Sequence, residues 1–589
     1  MKEGENMRKK FLVVALSMSM AFSLAACGSN NTKNTTSDDV ESSAEATADT
    51  QEAVEFERPE ETVTLNVYTQ TANYSGEQIG WFAQVMLEKF NVKLNIIPDA
   101  EGVFSTRMES GDLGDIILFG GDMDQYNQAV EKDMLFDWND EDLLSNYGSY
   151  IQENMASALE HNANISGGTT YGFGYDVATN SKDLKAFDYH PDLRYDLYKE
   201  IGSPEIKTLE DYADVLEKMV KACPKSDSGK QTYGVSLFPD WDGDMVMFVK
   251  ATAALYGWDE FGFGLYNVNT QEYEDCLADD SMYLRCLKFY NNLYQRGLLD
   301  PDSSTQTYDN VIEDYTDGAA FMNIFAWMGA VSYNTPEHLA EGKAMMAVPA
   351  EDSQPLVYGC SVYGGNRIWA IGANTEYPEL CMAIINWLCT PEGSMTNQYG
   401  PKDVTWTYDE NGKTVFTELG KACNKDNETE MTGGYTGTYK DGQCQINCTT
   451  WSLDAENPDS NGETYNDEKW ESELNSEVAE IQQDWRDSTG YANANEYLES
   501  RPYSLSLGTE FTNSVKDDEL QVVWNQVATC IKEYSWKAIY AKDDAEYDKI
   551  VSEMKKKAEG YGYEECVEFQ KGEAQLRKAA EDAVKALDN

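Results

Sequence analysis

The sequence predicts an α/β protein, and three stretches carry that prediction. Early in the chain, two segments of alternating apolar residues flank a segment whose apolar residues recur at three- and four-residue steps. That pattern is typical of strand, amphipathic helix and strand. The continuous apolar run Ile116–Phe119 follows and is typical of a strand buried on both faces of a parallel sheet. Much later, Asn366–Gly400 repeats the order strand, then helix.

The first predicted elements follow the order β-α-β-α-β, which builds a sheet with helices on its faces. They are a strand over Thr62–Tyr68, a helix over Glu77–Phe90, a strand over Val92–Ile97, a short helix ending by Ser110 and the strand Ile116–Phe119.

The same patterns predict further strands and helices along the chain. The strands are Thr170–Tyr175, Tyr233–Phe238, Gly318–Ile324 and Lys343–Val348. The helices are one capped by Thr208, then Tyr283–Arg296, Asp518–Tyr540, Ala545–Glu559 and Glu564–Ala586. Residues 401–470 are rich in Gly, Asn, Asp and Thr, and Asp409–Gly412 is a hairpin signal.

Asn366–Gly400 combines a short strand, Arg367–Gly372, with an amphipathic helix. Pro378 suits the first helical turn, because its fixed φ is helical and its missing N–H is not needed there. One apolar face is formed by Leu380, Ala383, Ile384, Trp387 and Leu388. We expect the helix to end at Thr390-Pro391-Glu392-Gly393.

The charge of the chain excludes several classes of partner. Its 589 residues contain 104 Asp and Glu against 45 Lys and Arg, a formal net charge of −59. No basic patch for nucleic acid is expected, and an anionic membrane surface should not attract the chain. The length predicts two or more domains with ample core.

The amino-terminal residues have the pattern of an export signal. Arg8-Lys9-Lys10 is a positive segment, Phe11–Phe22 is apolar, and Leu24-Ala25-Ala26-Cys27 resembles a bacterial lipobox. The lipobox implies cleavage before Cys27 and a diacylglycerol thioether on its sulfur. We therefore predict a signal peptide over residues 1–26 and a polar, disordered tether over residues 27–60, with translation starting at Met1 or Met7.

Cysteine and histidine spacing predicts no metal site, and no cofactor is expected. With Cys27 assigned to the lipid, eleven of the twelve cysteines remain, an odd number that argues against a full disulfide framework. Cys444 and Cys448 could still pair with each other or with Cys423. The three histidines share no spacing and are expected in loops. Asp240, Asp242 and Asp244 alternate as calcium ligands can, but no bidentate Glu follows at the required distance.

The order of these segments resembles the extracellular solute-binding proteins of ABC importers, the maltose-binding type and its lipoprotein relatives. The resemblance rests on Ser110–Phe119, on Arg194–Tyr198 and on Asn386-Trp387-Leu388 before Thr390–Gly393. It implies a two-lobed, class II periplasmic-binding-protein fold with a hinge and a ligand cleft between the lobes. The implied domains are residues 61–176 with 366–440 for lobe 1, and residues 177–365 with 441–589 for lobe 2.

The resemblance also implies a function. We expect a lipid-anchored, monomeric binding protein, not an enzyme, on the extracellular face of the bacterial membrane. It would capture a carbohydrate, an oligosaccharide, and deliver it to ABC permease subunits. Two alternatives stay open at this point: a surface glycoside hydrolase, and a binder of peptides or other polar solutes on the same fold.

Candidate ligand-binding residues follow from the same resemblance, one position at a time. Tyr74 follows the first strand, Asp122 lies beyond Phe119, Tyr175 and Asp176 stand at the first crossover, Asp240 and Trp241 follow Tyr233–Phe238, and Trp327 follows Gly318–Ile324. Trp258 is added from its Tyr-Gly-Trp-Asp context. Aromatic faces stack on sugars and carboxylates accept from hydroxyls. Trp451 has a similar setting, and core packing is the competing explanation for each tryptophan.

Overall fold

The computed structural model describes residues 56–100, 102–121, 123–181 and 183–587, with the side chains of Asp518 and Leu587 excepted. The predicted signal peptide, Cys27, most of the predicted tether and Asp122 lie outside the described residues. Among the described helices, none combines the length and apolar content needed to cross a membrane.

The described residues form sixteen strands. In chain order they are β1 Val63–Thr69, β2 Gly76–Glu77, β3 Val92–Pro98, β4 Ile116–Leu118, β5 Gly172–Gly174, β6 Tyr189–Arg194, β7 Trp258–Phe261, β8 Gly264–Asn267, β9 Glu272–Asp275, β10 Met322–Phe325, β11 Met345–Ala347, β12 Leu356–Tyr358, β13 Ile368–Ile371, β14 Trp406–Tyr408, β15 Thr414–Phe416 and β16 Ser504–Ser506.

The same part of the chain forms twenty-two α-helices. They are α1 Gly80–Phe90, α2 Val103–Ser110, α3 Met123–Glu131, α4 Leu143–Tyr147, α5 Ser149–Asn154, α6 Ala156–Ile165, α7 Tyr195–Glu200, α8 Tyr212–Ala222, α9 Met247–Ala254, α10 Met282–Gln295, α11 Tyr308–Thr316, α12 Gly329–Tyr333, α13 Pro336–Ala340, α14 Pro378–Cys389, α15 Pro391–Tyr399, α16 Glu418–Lys425, α17 Glu471–Leu474, α18 Glu480–Thr489, α19 Ala494–Glu499, α20 Asp518–Ile539, α21 Asp544–Tyr561 and α22 Tyr563–Leu587.

A six-stranded sheet in the order β2-β3-β1-β4-β13-β5 organises the first part of the molecule. Strand β1 pairs in parallel with β3 and with β4, as the sequence predicts. Strand β13 pairs antiparallel with β4 and with β5, although it lies far along the chain from both. The predicted return of the chain near residue 366 therefore completes this sheet.

Both faces of this sheet are covered by helices, which explains the continuous apolar run in β4. Ile116 and Leu118 belong to the core that contains the buried faces of α1 and α14. Ile117 and Phe119 belong to the core on the opposite face, with side chains from α2 and α3. A strand covered on both faces needs an apolar residue at every position, because successive side chains alternate.

A second large core surrounds a three-stranded antiparallel sheet in the order β10-β6-β11. Helices α8, α9 and α10 contribute buried apolar faces to it. The carboxy-terminal helices α20, α21 and α22 pack on the same core. The molecule thus has two α/β bodies, each with its own sheet.

Three chain segments run side by side between the two cores. Val177 forms backbone bridges with both Ser361 and Trp451. Residues 446–470 still contribute side chains to the first core, whereas α18 packs Trp485 against Tyr195 beside the second sheet. The lobe boundaries predicted from sequence stay predictions. We propose one change to them, which is that the last crossing follows Trp470 instead of lying near residue 440.

The predicted strand Tyr233–Phe238 does not form a regular strand. Its backbone pairs only at isolated bridges, Tyr233 with Ala320 and Val235 with Leu299. Side chains replace strand partners beyond them, since Ser303 Oγ accepts from the Leu237 N–H at 3.1 Å. The first half of the segment still makes backbone hydrogen bonds to both flanking segments, since Tyr233 N–H donates to the Ala319 carbonyl at 2.8 Å and Val235 N–H to the Leu298 carbonyl at 3.0 Å. Its apolar pattern is therefore that of a strand, although the pairing is too irregular to form one.

The helix that begins at Pro378 ends at Cys389, as the sequence predicts. A new helix starts at Pro391, because the Thr390 hydroxyl caps it by accepting from the Gly393 N–H at 3.2 Å. Trp387, predicted on the apolar face, is only partly buried and carries the Lys89 ammonium 5.2 Å from its ring centre.

The suggested disulfides are wrong, since all eleven described cysteines are free thiols. Cys423 lies in the first core with its Sγ 4.0 Å from the sulfur of Met431. Burial raises the pKa of Cys444 and of Cys448 to about 12, so both thiols stay protonated at neutral pH.

Candidate functional site

Two exposed tryptophans form an aromatic wall beside the second sheet. Trp241 is 48% exposed and Trp327 is 40% exposed, although the rings around them are mostly buried. Trp241 stacks on Tyr308 with ring centres 4.6 Å apart, and its ring centre lies 5.9 Å from that of Trp327. We call Trp241, Tyr308 and Trp327 the aromatic wall. Such a surface presents flat apolar faces to solvent in a fixed orientation.

Two acidic residues hold Trp241 in place. The buried Asp242 carboxylate accepts from the Met247 N–H at 3.0 Å and from the Trp536 indole N–H at 2.8 Å. Burial raises the pKa of Asp242, and these donors oppose that rise. Asp240 accepts from the Tyr308 N–H at 3.1 Å, which ties the Trp241 loop to the start of α11. These acids therefore fasten the Trp241 loop to its neighbours.

A cavity of about 320 Å³ lies against the aromatic wall. Strand β7 brings Trp258 to its other side. Trp241, Trp258 and Trp327 therefore line one cavity, together with Asp188, Tyr189, Met247, Lys250, Ala251, Ala254, Asp259, Glu260 and Phe325. The sequence predicts all three tryptophans as site residues, and the structure brings them together.

The polar floor of this cavity is held by one half-exposed and one buried ion pair. Lys250, 7% exposed, is paired with Glu260. Asp259 accepts from the Tyr358 hydroxyl at 2.8 Å and from the Arg577 guanidinium at 2.7 Å. Because Tyr358 belongs to β12 and Arg577 to α22, Asp259 joins the cavity floor to two other elements of the second body.

A second cavity, of about 640 Å³, lies where the chain crosses between the two bodies. Tyr175 and Asp176 line it, with Asp176 in the left-handed backbone region at φ 59°. The Asp176 carboxylate pairs with Lys185, and Arg367 lies 5.0 Å above the Tyr175 ring. Burial favours the neutral form of Lys185, but Asp176 outweighs that effect and raises the pKa of the lysine.

The remaining predicted site residues do not line either cavity. Tyr74 donates from its hydroxyl to the Glu77 carbonyl at 2.8 Å, although its neighbour Asn73 lines the cavity at the crossing. Asp240 is engaged with α11, and Asp122 lies outside the described residues. Trp451 is a core residue, 2% exposed, whose indole donates to the Cys389 carbonyl. The part that each predicted residue has in ligand binding stays a prediction.

Several residues at these cavities were not found from the sequence. Lys185 and Arg367 line the cavity at the crossing, and Tyr308 supports Trp241 from another element. Asp188 lines the cavity at the aromatic wall and also a third cavity next to it. For Asp188 the sequence does contain a signal, which is the alternation of ionisable side chains at Asp188 and His190. No local pattern indicates the others, because their neighbours are distant in the chain.

The expectation that the histidines lie in loops is wrong. His161 lies in α6, His190 in β6 and His338 in α13. His190 is 6% exposed, and its Nδ1 lies 3.1 Å from the Asp192 carboxylate. His338 bonds through Nε2 to Asp227 at 2.9 Å. Each ring has a carboxylate or carbonyl partner that stabilises it inside a regular element.

Comparison with known proteins decides the family. The model for bacterial extracellular solute-binding proteins matches residues 73–395, more than half of the chain. The chain belongs to this family. Membership places this solute-binding protein outside the cytoplasm, among proteins that bind small solutes, and it confirms the resemblance seen in the sequence. No curated protein matches the chain.

Solved structures confirm the fold. The substrate-binding protein FusA of Streptococcus pneumoniae, in complex with kestose, has a TM-score of 0.56 at 16% identity and covers 88% of this chain and 99% of its own. An extracellular solute-binding protein of Bifidobacterium longum subsp. infantis has a TM-score of 0.54 at 14% identity, and the match covers 88% of this chain and 98% of its own. An N-glycan transport solute-binding protein of S. pneumoniae has a TM-score of 0.52 at 14% identity, and the match covers 87% of this chain and 98% of its own. The predicted two-lobed α/β class is thereby confirmed.

Proposed function

We propose that this solute-binding protein captures a carbohydrate, specifically an oligosaccharide, and delivers it to the membrane subunits of an ABC importer. The aromatic wall is the observation that carries this proposal. An indole face packs well on the C–H face of a pyranose. Nearby carboxylates accept hydrogen bonds from the sugar hydroxyls, and amide N–H groups donate to them.

The exposure of the wall needs a ligand to explain it. A folded chain gains free energy by burying tryptophan, and Trp81, Trp138, Trp369 and Trp406 are all fully buried. Trp241 is instead held open by its hydrogen-bonded loop and by stacking on Tyr308. Trp327 is held by its contacts with Phe325 and Trp241. Rigid exposed aromatics in a cavity are typical of binding sites.

We propose that the ligand contacts two regions of the protein, and the aromatic wall is the first. Tyr175, Asp176, Arg367 and the amides of the cavity at the crossing would contact sugar hydroxyls from the other side. A saccharide of several units would reach both regions. Closure of the two bodies around it would be a hinge motion driven by tighter binding to the closed form.

Structural neighbours support a carbohydrate ligand. FusA is in complex with kestose, and the pneumococcal neighbour is named for N-glycan transport. These ligands belong to those proteins, and at 14–16% identity they support only the class of ligand proposed for this chain.

We also propose that the protein acts as a monomer attached to the membrane through a lipid on Cys27. The polar residues after Cys27 would hold the folded part away from the bilayer, where it could meet both solute and permease. A diacylglycerol on one residue, followed by a polar segment, suffices for this arrangement.

A glycan screen tests the proposal. The protein without residues 1–26 is applied to an array of defined oligosaccharides, and bound sugars are confirmed by calorimetry. Mass spectrometry then examines each sugar after overnight incubation. The proposal predicts binding with the sugar recovered intact. Binding of peptides alone, or recovery of a cleaved sugar, would contradict it and favour one of the two alternatives.

A further inference from the structure

Strand β6 and the residue before it present a row of ionisable side chains on one face. Asp188, His190 and Asp192 alternate with Tyr189 and Leu193, and alternate side chains of a strand share a face. Leu193 lies in the second core, so the ionisable row faces away from that core. Charged residues on the central strand of a sheet need a specific reason.

The row lines a cavity of about 530 Å³ next to the aromatic wall. Glu468 and Glu473 line the same cavity, so four carboxyl groups surround it. Trp327 and Val331, 40% and 72% exposed, form an apolar part of its rim. We call this cavity the acidic trough. It shares Asp188 and Trp327 with the cavity at the aromatic wall.

The cations near the acidic trough already have partners. Lys185 is paired with Asp176, and Lys469 with Asp454 at 3.0 Å and the Leu184 carbonyl at 2.7 Å. Arg486 donates at 2.9 Å to two backbone carbonyls, those of Ser476 and Ala492. His190 faces Asp192. Lys185 and His190 attract Asp188, and His190 and Lys469 attract Glu468, but none of the described cations forms a direct ion pair with either carboxylate.

Asp192 and Asp188 each have a carboxylate oxygen without a hydrogen bond from the described residues. Asp192 is 1% exposed, and its Oδ2 accepts no hydrogen bond from the described residues. The Asp188 carboxylate likewise accepts none from the described part of the chain. Burial raises the pKa of Asp188, Glu468 and Glu473, because removal from water disfavours their negative charges. A ligand that supplied positive charge would relieve this cost.

We propose that the acidic trough receives an ammonium group of the ligand, so that the solute is an amino sugar or another amine-bearing saccharide. This inference rests on the proposed function and narrows its ligand class. The ammonium would donate to Asp188 and Glu468 while the Trp327 face attracts its charge. The rest of the saccharide would lie along the aromatic wall.

Two other occupants fit the trough less well. A neutral sugar hydroxyl can donate to a carboxylate, but it leaves the negative charge uncompensated. A metal ion would need several ligands converging on one point, and the described residues contain no group of three His, Cys, Asp or Glu side chains that could hold one.

Matched sugar pairs test the inference. The array carries each oligosaccharide twice, once with a free 2-amino group and once N-acetylated, at pH 7 and low salt. The wild type is compared with the Asp188→Asn/Glu468→Gln variant. The Glu131→Gln/Glu376→Gln variant, which changes two exposed acids of the first body, controls for total charge.

The wild type and the control variant should bind the amine form of at least one pair about tenfold more tightly than its N-acetylated form, ~1.4 kcal/mol. The Asp188→Asn/Glu468→Gln variant should lose that preference and still bind the N-acetylated sugar, and added salt should reduce the preference. Equal binding of both forms by the wild type would overturn the inference and leave the proposed function standing. Binding of no sugar at all would contradict both.

Discussion

The indole of Trp241 lies on the phenol ring of Tyr308, with ring centres 4.6 Å apart and planes 29° apart. The two residues belong to different elements, and Asp240 joins them again through the Tyr308 N–H. An exposed tryptophan would otherwise populate several rotamers. The contact therefore fixes the orientation of the wall before any ligand arrives, which lowers the entropy cost of binding.

This relationship predicts the effect of removing the support. Tyr308→Ala should weaken sugar binding by about 0.5–1.5 kcal/mol, the value of an aromatic pair. Tyr308→Phe keeps the ring and should bind as the wild type does. Calorimetric titration checks both. If Tyr308→Ala binds as tightly as Tyr308→Phe, stacking does not position Trp241.

The tryptophans of the wall and of the core should differ in their effect on folding. Trp451→Ala removes a buried side chain that donates to the Cys389 carbonyl and should cost about 3–5 kcal/mol of unfolding free energy. Trp241→Ala should cost much less, because nearly half of its surface is exposed. Denaturant unfolding measures both. A larger loss for Trp241→Ala would show that Trp241 is a folding residue.

The buried His190 side chain should make the stability of the protein depend on pH. Burial lowers its pKa, but Asp192, Glu468 and Asp188 outweigh burial, so the pKa of folded His190 lies above the ordinary value for histidine, about 6.5. A raised folded pKa contributes stability that is complete below the unfolded pKa and is lost as pH rises through the folded pKa. The unfolding free energy should therefore fall above about pH 6.5.

The variant His190→Gln isolates this effect from the neighbouring acids. It should be less stable than the wild type at pH 6, and its stability should lack the decline above pH 6.5 that His190 causes. Urea titrations between pH 6 and pH 9 measure the difference. Parallel pH profiles for the two proteins would mean that His190 does not carry a proton on folding.

The membrane anchor has its own prediction. Cys27→Ala removes the sulfur that the lipobox resemblance assigns to the acyl group, so the protein should appear in the culture medium. Ser29→Ala, two residues away, should leave it with the membrane. Immunoblots of membrane and medium fractions check this. Retention of Cys27→Ala in the membrane fraction would contradict the anchor.

Much of the fold follows from local sequence. The alternating strands and Pro378 appear where the sequence predicts them, because a strand face and a first helical turn depend on nearby residues. Thr208 forms the predicted cap, with its N–H donating to Asp211 at 3.0 Å. The segment Tyr233–Phe238 misleads, because it has the apolar pattern of a strand but pairs only at isolated bridges, and its Leu237 N–H donates to a side chain instead of a strand partner.

The site is less predictable, for a physical reason. Trp241 and Trp327 were predicted because they follow segments that the family resemblance identifies, and Trp258 was predicted from its Tyr-Gly-Trp-Asp context. Tyr308 and Lys185 carry no such local sign, since each acquires its place only when distant segments meet. His190 differs, because its partner Asp192 lies two residues away on the same strand face and is visible as an alternating pattern in the sequence.

The central claim is that the aromatic wall binds the sugar, and titration of single variants tests it most directly. Trp241→Ala and Trp327→Ala are compared with Tyr561→Ala, which truncates an exposed aromatic on α21, with affinity and melting temperature measured on the same samples. Each wall variant should lose about 2–4 kcal/mol of binding, roughly thirtyfold to a thousandfold in Kd, while Tyr561→Ala binds normally and all melt near the wild type. Normal binding by both wall variants, or a loss of binding that merely follows unfolding, would contradict the account.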